Sequence, residues 1–239
     1  ATQKIDNFYT VRNLIPDFFE NRDPMSEDIQ KILKSGAITP LLNQGSPAEP
    51  IVIVFQFTEE TLKLPLKVSI KAIFMTFDIL MKEEDRAVIS GFKIINDCGT
   101  IAPSHILLFT PMLVRNFVVC LQNVYPMRLK EFVGLNAPGA FDTIYNTFAK
   151  PFLSEKMRKR FHFVSEKFWT EKDGSIISLE NLEGQQSLKE LSEQWCHKVN
   201  SYRDWFIEND KLSFDEKLRL GKLSTDLGSE GSFRKLSID

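Results

Sequence analysis

Short β-branched runs alternate with longer apolar helical runs through the middle of this chain, and that alternation limits the fold more than any other feature. Ile51-Val-Ile-Val-Phe-Gln-Phe57 has the make-up of a buried strand, and a long apolar helical stretch follows over about 66–82. Residues 89–96 read as a second strand, followed by helical sequence over 104–124 that Pro111 restarts. Residues 131–136 and 161–164 read as third and fourth strands, with a helix over 141–153 between them. Strands separated by helices pair in parallel through right-handed crossovers, so the body is predicted to be an α/β domain with a mostly parallel sheet.

Helical sequence flanks this body. Ile5, Phe8, Val11, Ile15 and Phe18 recur at three- and four-residue spacing, which predicts an amphipathic helix ending near Glu20. Arg22-Asp23-Pro24 then makes a turn, and Ser26 can cap a second helix running to about Lys34. Gly36 and the Pro47/Pro50 segment separate this start from the body. After Ser187 an amphipathic helix runs to about Phe206, and a polar, charged extension follows. The first residues hold no apolar run of signal-peptide type and no initiating Met, as expected of a chain that begins inside a longer protein.

Composition removes several functions. Lys and Arg total 30 against 32 Asp and Glu, a net charge of −2 that argues against a global nucleic-acid binder. Residues are 43% apolar and 26% charged, which excludes wholesale disorder. Cys98, Cys120 and Cys196 are odd in number and widely spaced with no CxxC pair, so neither a disulfide framework nor a metal site is expected and the setting reads as intracellular. The most apolar window, 106–121, is too short for a membrane span and holds Pro111, Arg115 and Asn116.

Catalytic signatures are missing from the sequence. No GxGxxG, GxxxxGK[ST] or GxSxG occurs. His105, His162 and His197 lack metal-ligand spacing, and Cys196 and His197, as helix neighbours about 100° apart, cannot pair as nucleophile and base. Asp97 is the carboxylate best placed for catalysis, yet without a partner it reads as a turn residue, and His105 reads as a helix-start residue.

Two features are more informative. The chain holds 20 Phe against 4 Tyr and 3 Trp, which suits an ordinary core or the wall of an apolar cavity. Phe141, Ile144, Tyr145, Phe148 and Phe152 fall at offsets 0, 3, 4, 7 and 11, one helical stripe opposite Asp142, Asn146 and Lys150. Immediately after it, Lys156, Arg158, Lys159 and Arg160 stand against Glu155 alone, and Arg128 and Lys130 lead into the third strand. From 128 to 160 there are seven basic residues and three acidic ones, a local patch inside a neutral total. A basic run is ordinarily a solvated face; beside an aromatic stripe it also suits docking to anionic headgroups.

Residues 122–163, QNVYPMRLKEFVGLNAPGAFDTIYNTFAKPFLSEKMRKRFHF, resemble the signature segment of CRAL-TRIO domains, in the alpha-tocopherol transfer protein and cellular retinaldehyde-binding protein branch. KIDNFYTVRNLIPDFFENRDP at 4–24 and GSEGSFRKLSID at 228–239 are similar to insect members of that branch. The resemblance implies an α/β sheet flooring an apolar pocket closed by a mobile gate helix, here 141–153. It assigns Phe74, Phe92, Phe117, Leu121 and Phe132 to the walls, with Phe141, Ile144, Tyr145, Phe148 and Phe152 on the gate. Lys130, Lys156 and Arg160 fall at phosphoinositide-engaging positions, with Arg128, Arg158 and Lys159 beside them. It divides the chain into the end of an N-terminal helical subdomain (1–34), a lipid-binding domain (35–186) and a C-terminal helix with charged extension (187–239). Departures include the almost wholly absent helical subdomain, Val133 in place of a common His, a degraded 179–185 segment, and Asp78 at a pocket-side match that is small and polar in the branch.

The expectation is a non-enzymatic, cytoplasmic carrier of a hydrophobic small molecule such as a retinoid, carotenoid or tocopherol. It needs no cofactor or metal, binds no nucleic acid and touches anionic membranes peripherally. The rivals are a non-exchanging interaction module on the same fold and a small-molecule α/β enzyme.

Overall fold

The computed structural model describes residues 2–42, 46–170, 176–182 and 186–211. The polar extension after Lys211 and residues 183–185 of the degraded segment lie outside the described residues.

Strands β1 (Ile38–Leu41), β2 (Ile51–Gln56), β3 (Phe92–Asp97), β4 (Leu129–Leu135) and β5 (Phe161–Phe163) lie side by side in that order. β1 runs antiparallel to β2, and every other pair is parallel. Helices α1 (Thr2–Leu14), α2 (Pro16–Phe19) and α3 (Glu27–Lys34) precede the sheet. α4 (Glu59–Leu62), α5 (Leu66–Glu83) and α6 (Asp85–Ile89) connect β2 to β3. A 3₁₀ segment (Pro103–Leu108) and α7 (Pro111–Val119), continued by a π-helical turn (Cys120–Val124), connect β3 to β4. α8 (Ala140–Ile144) passes into a π turn (Tyr145–Ala149) and a 3₁₀ turn (Lys150–Phe152), and α9 (Glu155–Arg158) leads to β5. Beyond the sheet stand a β6–β7 hairpin (Phe168–Thr170, Ile176–Ser178), α10 (Leu179–Leu182), α11 (Leu188–Ser201) and α12 (Arg203–Asn209). This is a mostly parallel α/β fold, as the alternation predicts.

Local chemistry explains the main boundaries. The apolar helix at 66–82 is found as α5, opened by Pro65. Ser187 accepts from the Glu190 amide while the Glu190 carboxylate accepts from Ser187 N–H, a capping box that starts α11. The second strand begins at Phe92, not at residue 89: Ile89 closes α6 and is 71% exposed. Gly91, at φ +82°, turns the chain between them, and a side chain there would sit 2.2 Å from the Arg128 carbonyl oxygen. The expected single helix ending near Glu20 is broken at Ile15 by Pro16, which opens α2.

The sheet buries both faces. One carries Ile51, Ile53, Phe55, Phe92, Ile94 and Phe132 against α5 and α7. Val52, Ile95, Val133 and Leu135 face the other way, under Ile177, Trp169 and α10. Both flanking helical segments join the first core: Val11, Phe18, Ile32, Trp195, Val199 and Phe206 are all buried in it. Trp195 also donates its indole N–H to Thr76 on α5 at 3.1 Å. No helix among the described residues is long and apolar enough to cross a membrane.

Candidate ligand-binding site

A cavity of about 150 Å³ lies over the C-terminal ends of the strands, between α5, α7 and the 140–152 segment. Open sheets of this type present their crevices there, because the crossovers diverge as they leave the strand ends. Parallel pairing sets the floor in rows. Ile53, Ile94, Phe132 and Phe161 are register partners, of which Phe132 and Phe161 reach the cavity, and two residues further along the strands comes the row of Phe55, Asn96, Gly134 and Phe163. Gly134 makes room for its neighbour: a Cβ there would approach the Phe163 ring to 2.6 Å.

The walls follow from helical periodicity. Leu66, Ser69, Ile70 and Ile73 form one stripe of α5, and Leu113, Val114, Phe117 and Val118 face the cavity from α7. The lid contributes Phe141, Ile144, Tyr145 and Ala149, with Phe109 packed edge-on to Phe141 at 5.3 Å. No charged side chain lines the cavity among the described residues; Gln56, Thr61, Ser69 and Asn96 supply its polar atoms. Thr61 is occupied in capping α4 with Thr58. The Asn96 amide donates to the Cys98 sulfur at 3.2 Å, and the Ser69 hydroxyl is buried with no protein partner.

The structure brings together Phe117, Phe132, Phe141, Ile144 and Tyr145 around the cavity, but puts the other expected wall and gate residues elsewhere. Phe74 is completely buried one position off the α5 stripe, stacked on Tyr125 at 5.1 Å and Phe19 at 5.2 Å. Phe92 sits at the N-terminal end of β3 against Phe77 and does not reach the cavity. Leu121 falls in the π turn and is buried in the core beside α1, whose Asn7 donates to the Asn123 carbonyl at 2.9 Å. The lid's own π turn moves Phe148. An i→i+5 turn carries an extra residue, so the face after Tyr145 slips by one position and Ala149 takes the inward place. Phe148 is left half-buried, and Phe152 is 37% exposed with the Arg115 guanidinium over its ring at 5.5 Å.

Asp78 is not pocket-side either. Its carboxylate is buried behind α5, where Arg12 donates to both oxygens at 2.9 and 3.0 Å, Arg22 at 2.7 Å and the Tyr125 hydroxyl at 3.0 Å. Arg22 also reaches Asp210 at the end of α12 through Nε at 2.9 Å. Burial pulls the Arg12 guanidinium down most strongly, but the charge and hydrogen bond of Asp78 together with Tyr125 and Asp210 outweigh it and raise the net value. Burial, reinforced by Asp78, raises the Tyr125 hydroxyl well above its ordinary value, so it stays a donor. Val133 faces the hairpin side of the sheet, away from the cavity.

The six basic residues fall into two groups, Arg128 and Lys130 at the start of β4 and Lys156, Arg158, Lys159 and Arg160 in and after α9. Arg160 donates to the Leu129 carbonyl between Arg128 and Lys130, joining the strand pair to the α9 group. Lys159 pairs with Glu155 at 3.0 Å, Lys156 is exposed, and Arg158 donates to the lid backbone.

The residues best placed for catalysis are held in turns. Asp97 accepts from Gly99 N–H at 2.9 Å and from the Asn136 amide at 2.8 Å, and His105 Nδ1 accepts from Ala102 N–H at 3.1 Å. All three cysteines are free and buried, and burial, with help from Asp97, pushes the Cys98 thiol up to about 12. Among the described residues no group of His, Cys, Asp and Glu could hold a metal ion.

The sequence profile of the CRAL/TRIO domain matches residues 34–185. An alpha-tocopherol transfer protein-like protein of Homo sapiens is 28% identical over 161 residues, covering 67% of this chain and 46% of that protein. Clavesin-1 of Xenopus laevis is 25% identical over 160 residues, covering 67% and 48%. The chain thus spans about half the length of the curated relatives it matches. The crystal structure of Sfh5 superposes with a TM-score of 0.48 at 14% identity, over 82% of this chain and 73% of that one. With the profile covering well over half of its length, the chain belongs to the CRAL/TRIO domain family.

Proposed function

We propose that the chain is a non-enzymatic, cytoplasmic carrier that binds an uncharged, largely hydrocarbon lipid in the cavity and passes it between membranes. The observation that carries this reading is the lining, apolar throughout except for a few neutral polar atoms. A carboxylate or phosphate buried there would lack a counter-charge, at a cost of several kcal/mol or more, so fatty acids and phospholipid heads fit poorly. Ser69 and Asn96 suit a guest with one neutral hydrogen-bonding group. The alpha-tocopherol transfer protein-like relative supports a transfer role. The rival interaction module on the same fold predicts a pocket filled by side chains, and this one is open.

Size explains the lid. A dry cavity of about 150 Å³ accepts a benzene-sized guest, whereas drug-sized ligands occupy roughly 300–1,000 Å³. An isoprenoid burying ~500 Å² gains roughly 12 kcal/mol, which a permanently open pocket could not shield and a permanently closed one could not release. The 140–153 segment is therefore the gate, and the basic edge contributes about 1 kcal/mol per Lys or Arg near an anionic leaflet. Phosphoinositides are one such anionic lipid.

Organic extraction of the natively purified protein, followed by mass spectrometry, tests the reading. An uncharged lipid is expected, and Ile73→Trp, which fills the cavity from α5, should abolish its recovery while preserving the fold. If wild-type protein yields no lipid and takes up no N-phenyl-1-naphthylamine, the carrier reading is wrong.

A further inference from the structure

We infer that Ser69 is the recognition point of the cavity, and that it selects a guest carrying a hydroxyl group. The purpose of such a point rests on the carrier reading; the buried oxygen behind it does not.

A serine inside a helix ordinarily turns its hydroxyl back onto a carbonyl three or four residues earlier. Two serines of α11 do so: Ser192 donates to the Lys189 carbonyl and Ser201 to the Lys198 carbonyl, each at 2.7 Å. Ser35, at the end of α3, donates to the Ile32 carbonyl at 2.8 Å. Ser69, near the start of α5, breaks the habit: its oxygen is buried and has no hydrogen-bond partner among the described residues. Such an orphan costs stability, because its bonds to water are lost on folding and nothing replaces them. Ser69 is also the one polar member of the α5 stripe that lines the cavity, set among Leu66, Ile70 and Ile73. A guest in the chamber supplies the partner that the fold withholds.

Three of the other polar side chains around the chamber are already engaged. Thr61 caps α4, the Asn96 amide donates to the Cys98 sulfur, and the Tyr145 hydroxyl of the lid donates to the Arg158 carbonyl at 3.4 Å. Gln56 ends β2, the strand whose connection carries Ser69, so the receptive side of the chamber is the β2 side. β4 stands two strands away, roughly 10 Å across the sheet, where Phe132, Phe161, Phe163 and Tyr145 make a wall of rings. The guest thus lies with its oxygen against α5 and its hydrocarbon towards the rings. A hydroxyl is the fitting function. Ser69 offers one proton and two lone pairs, and a guest hydroxyl engages either, whereas an ether or a carbonyl uses the proton alone.

Isosteric probes small enough for the closed chamber separate polarity from fit. Benzyl alcohol and ethylbenzene differ by a hydroxyl in place of a methyl, and each is titrated against N-phenyl-1-naphthylamine bound to the delipidated full chain. Ser69→Ala should weaken benzyl alcohol roughly five- to tenfold and leave ethylbenzene within about twofold. Thermal unfolding of the same empty protein gives a second reading. Ser69→Ala should raise the midpoint by roughly 2–6 °C, whereas Ser192→Ala, which gives up a bond already made, should not raise it. Equal losses for both probes, or no loss for either, show that Ser69 only packs; they overturn the inference and leave the carrier reading standing. A midpoint that falls in Ser69→Ala, or rises equally in Ser192→Ala, overturns the orphan hydroxyl. Wild-type protein that binds neither probe and yields no lipid overturns the carrier reading and the guest class with it.

Discussion

The two faces of α5 use similar residues to opposite ends. Behind the helix, Phe74 and Phe77 interlock with Phe18, Phe19 and Tyr125 in a solid aromatic cluster whose depths hold the Asp78–Arg12–Arg22 network. In front, Leu66, Ile70 and Ile73 look across a void at Phe117, Phe132 and Phe163. The difference lies in what plugs each side. The α1–α2 corner drives two Phe rings into the back, while the front is roofed only by a lid that turns Ala149 inward. Aromatic residues alone therefore do not make a container; the chain must also leave part of the space unfilled.

The strongest way to break the contrast is Asp78→Asn. It takes the carboxylate from the buried Arg12 guanidinium, leaves Arg22 with Asp210 alone, and should cost about 3–5 kcal/mol in chemical denaturation. Any folded fraction should still take up an apolar probe, since the network does not line the cavity. Paired truncations sharpen the same comparison. Phe74→Ala opens a hole in a filled region and should cost about 3–5 kcal/mol. Phe163→Ala should cost roughly 1–2 kcal/mol, because part of its ring already faces empty space. Equal losses would show that the cavity wall is as tightly supported as the core.

The smallest effect is electrostatic. Glu83 on α5 meets Lys198 and Tyr202 of the C-terminal helices; burial opposes its charge, but those two donors outweigh it and hold its carboxyl below the ordinary 4.5. A depressed carboxylate contributes stability above the ordinary pKa and loses it as pH falls through the lowered one. The pair is partly exposed, so denaturation at pH 7 and in acid should differ by at most about 1 kcal/mol from this source. Glu83→Gln should remove that increment.

The parallel body was legible because β2 and α5 carry unmistakable periodicities. β1 was not: it spans four residues with Pro40 inside, a sequence that argues against a strand, and it survives at the sheet edge where a missing N–H is tolerated. β6 and β7 are shorter still, at three residues each. Phe117, Phe132, Phe141, Ile144 and Tyr145 were found at the cavity because regular helix and strand spacing holds up to those positions. Phe148 departs from its helical stripe because a π turn leaves no sequence mark that separates it from an α-helix. Phe74 and Asp78 lie away from the cavity for a different reason. Their partners Arg12, Phe19 and Arg22 lie more than fifty residues upstream, and nothing local to α5 announces contacts of that range. Ser69 gave no signal at all in sequence; only an unpartnered hydroxyl beside a void identifies it.

The floor row of Phe55, Asn96, Gly134 and Phe163 has one further consequence. Because Phe163 rests over a position with no side chain, the height of the chamber is dictated by a single hydrogen atom on β4. A methyl group at residue 134 would push that ring aside, and a larger residue would drive it further into the cavity. The height of the cavity is thus set at one strand position, with the helices that surround it left as they are.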